Sequence, residues 1–112
     1  MNESMRAALD PVILALLDQE PDHGYSLMLR IRSTTGLDVS DGSLYPALRR
    51  LEDAGRIEGV WTISETGRKR KVFHLTADGK GSLHRARADW PAFARSLSRL
   101  LKPKRVREVP NS

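Results

Sequence analysis

Residues 40–75 read SDGSLYPALRRLEDAGRIEGVWTISETGRKRKVFHL, and the order of patterns inside them decides the fold. Ser40 is a helix N-cap residue, and Asp41 after it favours the positive end of a helix. Leu44, Leu48 and Leu51 then fall at i, i+4 and i+7, the spacing of one buried helix face, and Gly55 closes that helix. Ile57 to Ile63 is rich in β-branched and aromatic residues and reads as a strand. Ser64-Glu65-Thr66-Gly67 supplies a turn, and Arg70 to Leu75 the returning strand. A helix running directly into a hairpin is the second half of a small, definite architecture.

The flanks complete it. Upstream, Asp10 followed by Pro11 predicts the start of a first helix behind a short arm at 1–9. Val12, Ile13, Leu16 and Leu17 form its apolar face, and Gln19-Glu20-Pro21 stops it. Asp22 is the expected cap of a second helix with Leu27, Met28 and Ile31 inward and Gly36 at its end. Leu37 to Val39 is an extended link. Downstream, Thr76 caps a last helix. Three helices and then a two-stranded ribbon is the order of a winged helix-turn-helix, mainly α with a small β-hairpin. The expected organisation is a winged helix-turn-helix domain at 1–76, a C-terminal helix at 77–101 and a basic tail at 102–112, whose two prolines and four basic groups predict disorder.

Charge is unevenly spread over the 112 residues. Residues 1–65 carry 6 basic and 11 acidic side chains, a net −5, whereas residues 66–112 carry 13 basic and 3 acidic, a net +10. A polyanion meets the second part first. The chain has no cysteine, which removes disulfides, thiolate chemistry and Cys-based zinc sites. The longest apolar run, Val12 to Leu17, is far short of a membrane span, and the N-terminus lacks a signal-peptide pattern, so the expectation is a cytoplasmic protein with no membrane partner. An enzyme is not expected. His23, His74 and His84 lie in separate elements without metal-ligand spacing, and there is no phosphate loop or nucleophile motif, so no cofactor is expected either.

In a helix-turn-helix the second helix of the pair enters the major groove with its N-terminal part toward the base edges. Here that helix, away from its leucine stripe, presents Gly42, Ser43, Tyr45, Pro46, Arg49 and Arg50. Ser43 suits a base or a phosphate, and the two arginines reach guanine edges or phosphates. On its own the arginine pair reads better as a solvated face near Glu52 and Asp53. Gly67-Arg68-Lys69-Arg70-Lys71 tips the balance, because four consecutive cations at a hairpin tip beside such a helix fit phosphate or minor-groove contact. The alternative is a winged helix that binds a protein, which has no need of four adjacent cations. An RNA-binding protein would show more aromatic stacking residues than Tyr25 and Tyr45.

Leu83, Ala86, Trp90, Phe93, Leu97 and Leu100 are spaced 3, 4, 3, 4, 3 along the last helix, a heptad stripe that predicts a homodimer seam. The competing reading is a helix folded back on its own domain. Pro91 interrupts the stripe and predicts a kink or break near Trp90, dividing the helix into 77–89 and 91–101.

These residues resemble the PadR-like transcriptional regulators. The matches are His23-Gly24-Tyr25, Gly42-Ser43-Leu44-Tyr45-Pro46-Ala47-Leu48 with Leu51-Glu52-Asp53-Ala54-Gly55, the Gly67 to Lys71 wing, His74-Leu75-Thr76 with Gly79, and Trp90 with Phe93, together spanning about residues 9–101. The resemblance implies a homodimer, joined by a single C-terminal helix, that binds a palindromic or pseudo-palindromic operator, usually as a repressor. It carries DNA contact onto Tyr45, Pro46 and Gly67 to Lys71, with Tyr25 near the backbone. In multidrug-sensing relatives a tryptophan eleven residues after the glycine of a Thr-x-x-Gly turn lines a ligand pore. Gly79 and Trp90 have that spacing, so Trp90 and Phe93 are the candidate contacts for a small aromatic effector. Two departures bear on this. Pro91 follows Trp90 directly, and Asp41 puts a negative charge at the DNA-facing end of the recognition helix.

Overall fold

The computed structural model describes residues 3–103. Its elements in chain order are α1 (Glu3–Gln19), β1 (Asp22–His23), α2 (Gly24–Thr35), α3 (Asp41–Asp53), β2 (Ile57–Ile63), β3 (Lys69–Leu75) and α4 (Ala77–Leu101). The strands form one antiparallel sheet in the order β1-β3-β2. Residues 104–112, most of the expected basic tail, lie outside the described residues, as do Met1 and Asn2 of the expected arm.

The core sits where α1, α2 and α3 meet over the root of the ribbon. Leu9, Ile13 and Leu17 of α1, Leu27 and Ile31 of α2, and Leu44, Leu48 and Leu51 of α3 are all buried, with Val39 of the link, Ile57 and Phe73 closing the ribbon side. Truncating one such leucine to alanine costs about 2–5 kcal/mol, because the cavity closes only in part. Three caps hold the frame at the expected places. Gly36 ends α2 at φ +74°, the left-handed conformation that a β-carbon disfavours. Ser40 stands in extended conformation before α3 without a side-chain cap bond, its carbonyl accepting from the Ser43 and Leu44 amides. Thr76 Oγ1 accepts from the Gly79 amide at 3.0 Å and opens α4.

Four expectations are corrected. Helix α1 starts at Glu3 rather than at Pro11, so the arm is already helical from that point. Leu9 before the proline and Ile13 and Leu14 after it are buried, and packing on both sides carries the helix across the bond that Pro11 cannot make. Asp10, no longer a cap, accepts from Arg50.

The cap of α2 is His23, whose Nδ1 accepts from the Ser26 amide at 3.4 Å. Asp22 lies one residue earlier in β1, a two-residue strand paired with Phe73 and Val72 that is too short to show a period in sequence. Its carboxylate gathers the His23 amide, the Ser26 hydroxyl and the Arg30 guanidinium, and Arg30 reaches on to the Leu16 carbonyl at 2.8 Å, tying α1 to α2.

Helix α4 runs unbroken through Pro91 for 25 residues, about 37 Å at 1.5 Å per residue. Good helix formers follow the proline (Ala92, Ala94, Arg95, Leu97), and Pro91 is itself exposed, so the helix continues past the bond to the Arg87 carbonyl that Pro91 cannot make. Finally, Leu83 belongs to the chain's own core at 3% exposure instead of to an intermolecular seam. One turn earlier, Gly79 lies against the Arg56 carbonyl so closely that a β-carbon there would clash with backbone. The first two turns of α4 are therefore part of the winged-helix core, the next two run beside α1, where Arg87 bonds Asp18 at 3.3 Å, and the last turns extend beyond it in a molecule 72 × 28 × 21 Å across.

Candidate nucleic-acid interface

Helix α3 and the β2–β3 ribbon face each other across a cleft of about 800 Å³. The amphipathic pattern of α3 explains its orientation. With Leu44, Ala47, Leu48 and Leu51 buried, Tyr45, Pro46 and Arg49 must face outward, and all three are exposed. Gly42 and Asp41 are exposed at the tip, and Ser43 is half-buried with its hydroxyl 3.5 Å from that of Ser40. Pro46 withholds the amide that would bond the Gly42 carbonyl, leaving that acceptor at the exposed end of the helix. Tyr45 leans over the start of α2. A β-carbon on Gly24 would stand 2.8 Å from its ring, so glycine is what admits the ring there. Tyr25, the next residue, is exposed on the same wall of the cleft.

The ribbon's register assigns its faces. Ile57 pairs with Leu75, Gly59 with Phe73, Trp61 with Lys71 and Ile63 with Lys69, and paired or alternate residues share a face. Ile57 and Phe73 are buried, so this is the face turned to α3; it carries Lys69 and Lys71 outward along the strand. Arg70 alternates to the face shared with Thr62, yet it borders the cleft as well. At the tip, Gly67 at φ +80° makes the tight return, with the Ser64 amide bonded to the Arg68 carbonyl at 2.8 Å.

Two of the expected contact residues are engaged elsewhere. Lys71 Nζ lies 2.8 Å from Glu52 Oε1, and Glu52 also accepts from the Gly59 amide at 3.0 Å, so the pair is a strut between α3 and both strands of the wing. The Lys71 hydrogen bond and the Gly59 amide hold the Glu52 carboxyl below its ordinary value of 4.5, against the opposing effect of burial. Arg50 bonds Asp10 of α1 at 3.0 Å, away from the cleft. The cleft is bordered instead by Arg49, Arg68, Lys69 and Arg70, besides the strut. The sequence reading missed Trp61, which borders the same cleft and is 66% exposed. The available signal was its place four residues beyond buried Ile57, on the same face but past the edge of the core.

On α4, Trp90 and Phe93 are both exposed, with ring centroids 5.4 Å apart and tilted by 53°. Leu100 is 82% exposed, and Ala86 and Leu97 are half-buried. Ala86, Trp90 and Pro91 line an apolar groove of about 370 Å³ against Pro11, Val12 and Ala15 of α1. Among the described residues no group of His, Asp and Glu is placed to hold a metal ion, and no helix is long and apolar enough to cross a membrane.

A three-helix domain with a cationic β-ribbon beside an exposed second helix of a helix-turn-helix is a winged helix of the transcription-factor type. A model of the transcriptional regulator PadR-like family matches residues 13–85. The transcriptional regulator Rv3488 of Mycobacterium tuberculosis is 34% identical over 97 residues, covering 87% of this chain and 89% of its own. Among solved structures, a PadR-like transcriptional regulator from Bacillus cereus superposes with a TM-score of 0.78 at 31% identity, covering 90% of this chain and 98% of its own. A transcriptional regulator from Clostridium thermocellum gives 0.79 at 25% identity, with 90% and 100% covered. The chain belongs to the PadR-like family: it is a transcriptional regulator, not an enzyme. PadR-like regulators bind DNA and typically act as dimers.

Proposed function

We propose that the chain is a sequence-specific DNA-binding regulator that grips a palindromic or pseudo-palindromic operator as a homodimer and represses transcription. The observation that carries this reading is the cleft between α3 and the wing, in which an exposed helix face with Tyr45 and Arg49 stands opposite Arg68 and Lys69, with Pro46 exposed beside them on α3. A helix in the major groove and a ribbon over the neighbouring minor groove leave one sugar-phosphate strand between them, and this cleft is bordered by cations on both walls. Ser43 and Tyr25 are assigned to contacts at its edge. Lys71 and Arg50 act by holding the wing and α3 in place, and Gly67 by shaping the tip.

Dimerisation is assigned to the projecting part of α4. Trp90, Phe93, Leu97 and Leu100 leave apolar surface on a helix that has passed beyond its own core, which is the situation in which a second helix is the natural cover. A flat aromatic effector suits the same region: the groove beside Trp90 is apolar and about 370 Å³, within the range of small-molecule sites. The testing experiment is footprinting of the purified protein on the DNA upstream of its own coding region. Paired half-sites about one helical turn, roughly 34 Å, apart are expected. A single unpaired half-site counts against the dimer, and no protection at low salt counts against DNA binding in favour of a protein partner.

A further inference from the structure

We propose that Trp61, on the edge strand β2 of the wing, packs against the sugar-phosphate strand lying between the two DNA grooves, and so gives the wing an apolar, salt-independent hold on the duplex. The inference rests on the DNA-binding reading above. Trp61 pairs with Lys71, and Lys71 reaches Glu52 of α3, so the indole emerges on the side of the ribbon that faces the recognition helix. It lines the cleft opposite Tyr45 and Arg49. Next to it toward the tip, Ile63 is 73% exposed and shares that face with Lys69.

A tryptophan two-thirds exposed contributes little to its own core, and its burial awaits a partner. The surroundings select which partner. Five cations border the cleft against two carboxylates, and one of those, Glu52, is already matched by Lys71. A second copy of this basic chain is disfavoured there and a polyanion is favoured. A nucleic-acid strand alternates anionic phosphates with apolar deoxyribose faces. The arginines and Lys69 suit the former. The indole face suits the latter, while its Nε1–H is a donor for a phosphate oxygen.

Cationic and apolar contacts separate by their response to salt. Binding of a duplex carrying the footprinted site is measured over a range of potassium chloride for wild type, Trp61→Ala, Trp61→Phe and Lys69→Ala. Trp61→Ala should weaken binding about tenfold, or about 1.4 kcal/mol, with an unchanged log–log salt slope. Trp61→Phe should recover most of the loss. Lys69→Ala should instead lower the slope by about 0.9 for each bound subunit. Fluorotryptophan-labelled wild type, with the Trp61 resonance identified by its absence in Trp61→Phe, should show that resonance shift on adding duplex. Equal affinity of Trp61→Ala and wild type, or a Trp61 resonance indifferent to bound DNA, overturns the inference while leaving DNA binding intact. Failure of wild type to bind any duplex overturns the DNA-binding reading itself.

Discussion

Replacing Glu52 by glutamine should make the protein less stable and its DNA binding more salt-sensitive at once. Glu52 holds Lys71 at 2.8 Å and the Gly59 amide at 3.0 Å, and both side chains of the ion pair are about one-third exposed, at 31% and 32%. A hydrogen bond to a charged group is worth about 1.5–3 kcal/mol when well shielded, and an exposed ion pair about 0.2–1. Discounted for the water that reaches it, this pair contributes about 1 kcal/mol. Glutamine keeps an acceptor for Gly59 and loses the charge, so the melting temperature should drop by about 4 °C at fixed protein concentration. Lys71, released from its partner, becomes available to a phosphate, and the salt slope should steepen by up to about 0.9 for each bound subunit.

The effect has a pH signature. The folded-state pKa of Glu52 is depressed, so its contribution is complete above the ordinary value of 4.5 and is lost as pH falls through the lowered folded value. The stabilities of wild type and Glu52→Gln, measured by urea unfolding, should differ at neutral pH and converge in acid. Equal stabilities at pH 7 would refute the strut. A difference that persists undiminished into strong acid would refute its electrostatic origin.

Three further outcomes follow from the site. Changing Arg68 and Lys69 together to alanine should weaken binding to all duplexes alike and reduce the salt slope by about 1.8 for each bound subunit, as read from titrations in increasing salt; an unaltered slope removes the wing tip from the interface. Gly24→Ala should leave thermal stability within about 1 kcal/mol, because the contact it meets at 2.8 Å is the mobile end of the Tyr45 side chain, yet reduce operator affinity by pushing that ring into the cleft. Gel-shift affinity beside a melting curve separates the two effects. Trp90→Ala should weaken self-association, seen by sedimentation at micromolar concentration; an unchanged dimer would locate the seam in the other exposed residues of α4.

Much of this molecule is written in local patterns. The Leu44–Leu48–Leu51 stripe, the caps at Gly36, Ser40 and Thr76 and the β-branched run from Ile57 to Ile63 are short-range signals, and each reads correctly because neighbours in sequence are sufficient to produce it. The Gly67 to Lys71 run likewise marks the wing from composition and turn chemistry alone. What tertiary packing decided is whatever depends on a partner far along the chain. Pro11 and Pro91 are helix breakers by their own covalent geometry, and they lie within helices because the flanking turns of α1 are buried against the core and those of α4 hold their helical form. Strand β1 exists only because Phe73 and Val72 lie alongside it. Lys71 and Arg50 look like free cations in a basic sequence until the fold sets Glu52 and Asp10 against them, 19 and 40 residues away. Charge is a property of a residue, but the availability of that charge belongs to its neighbours in space.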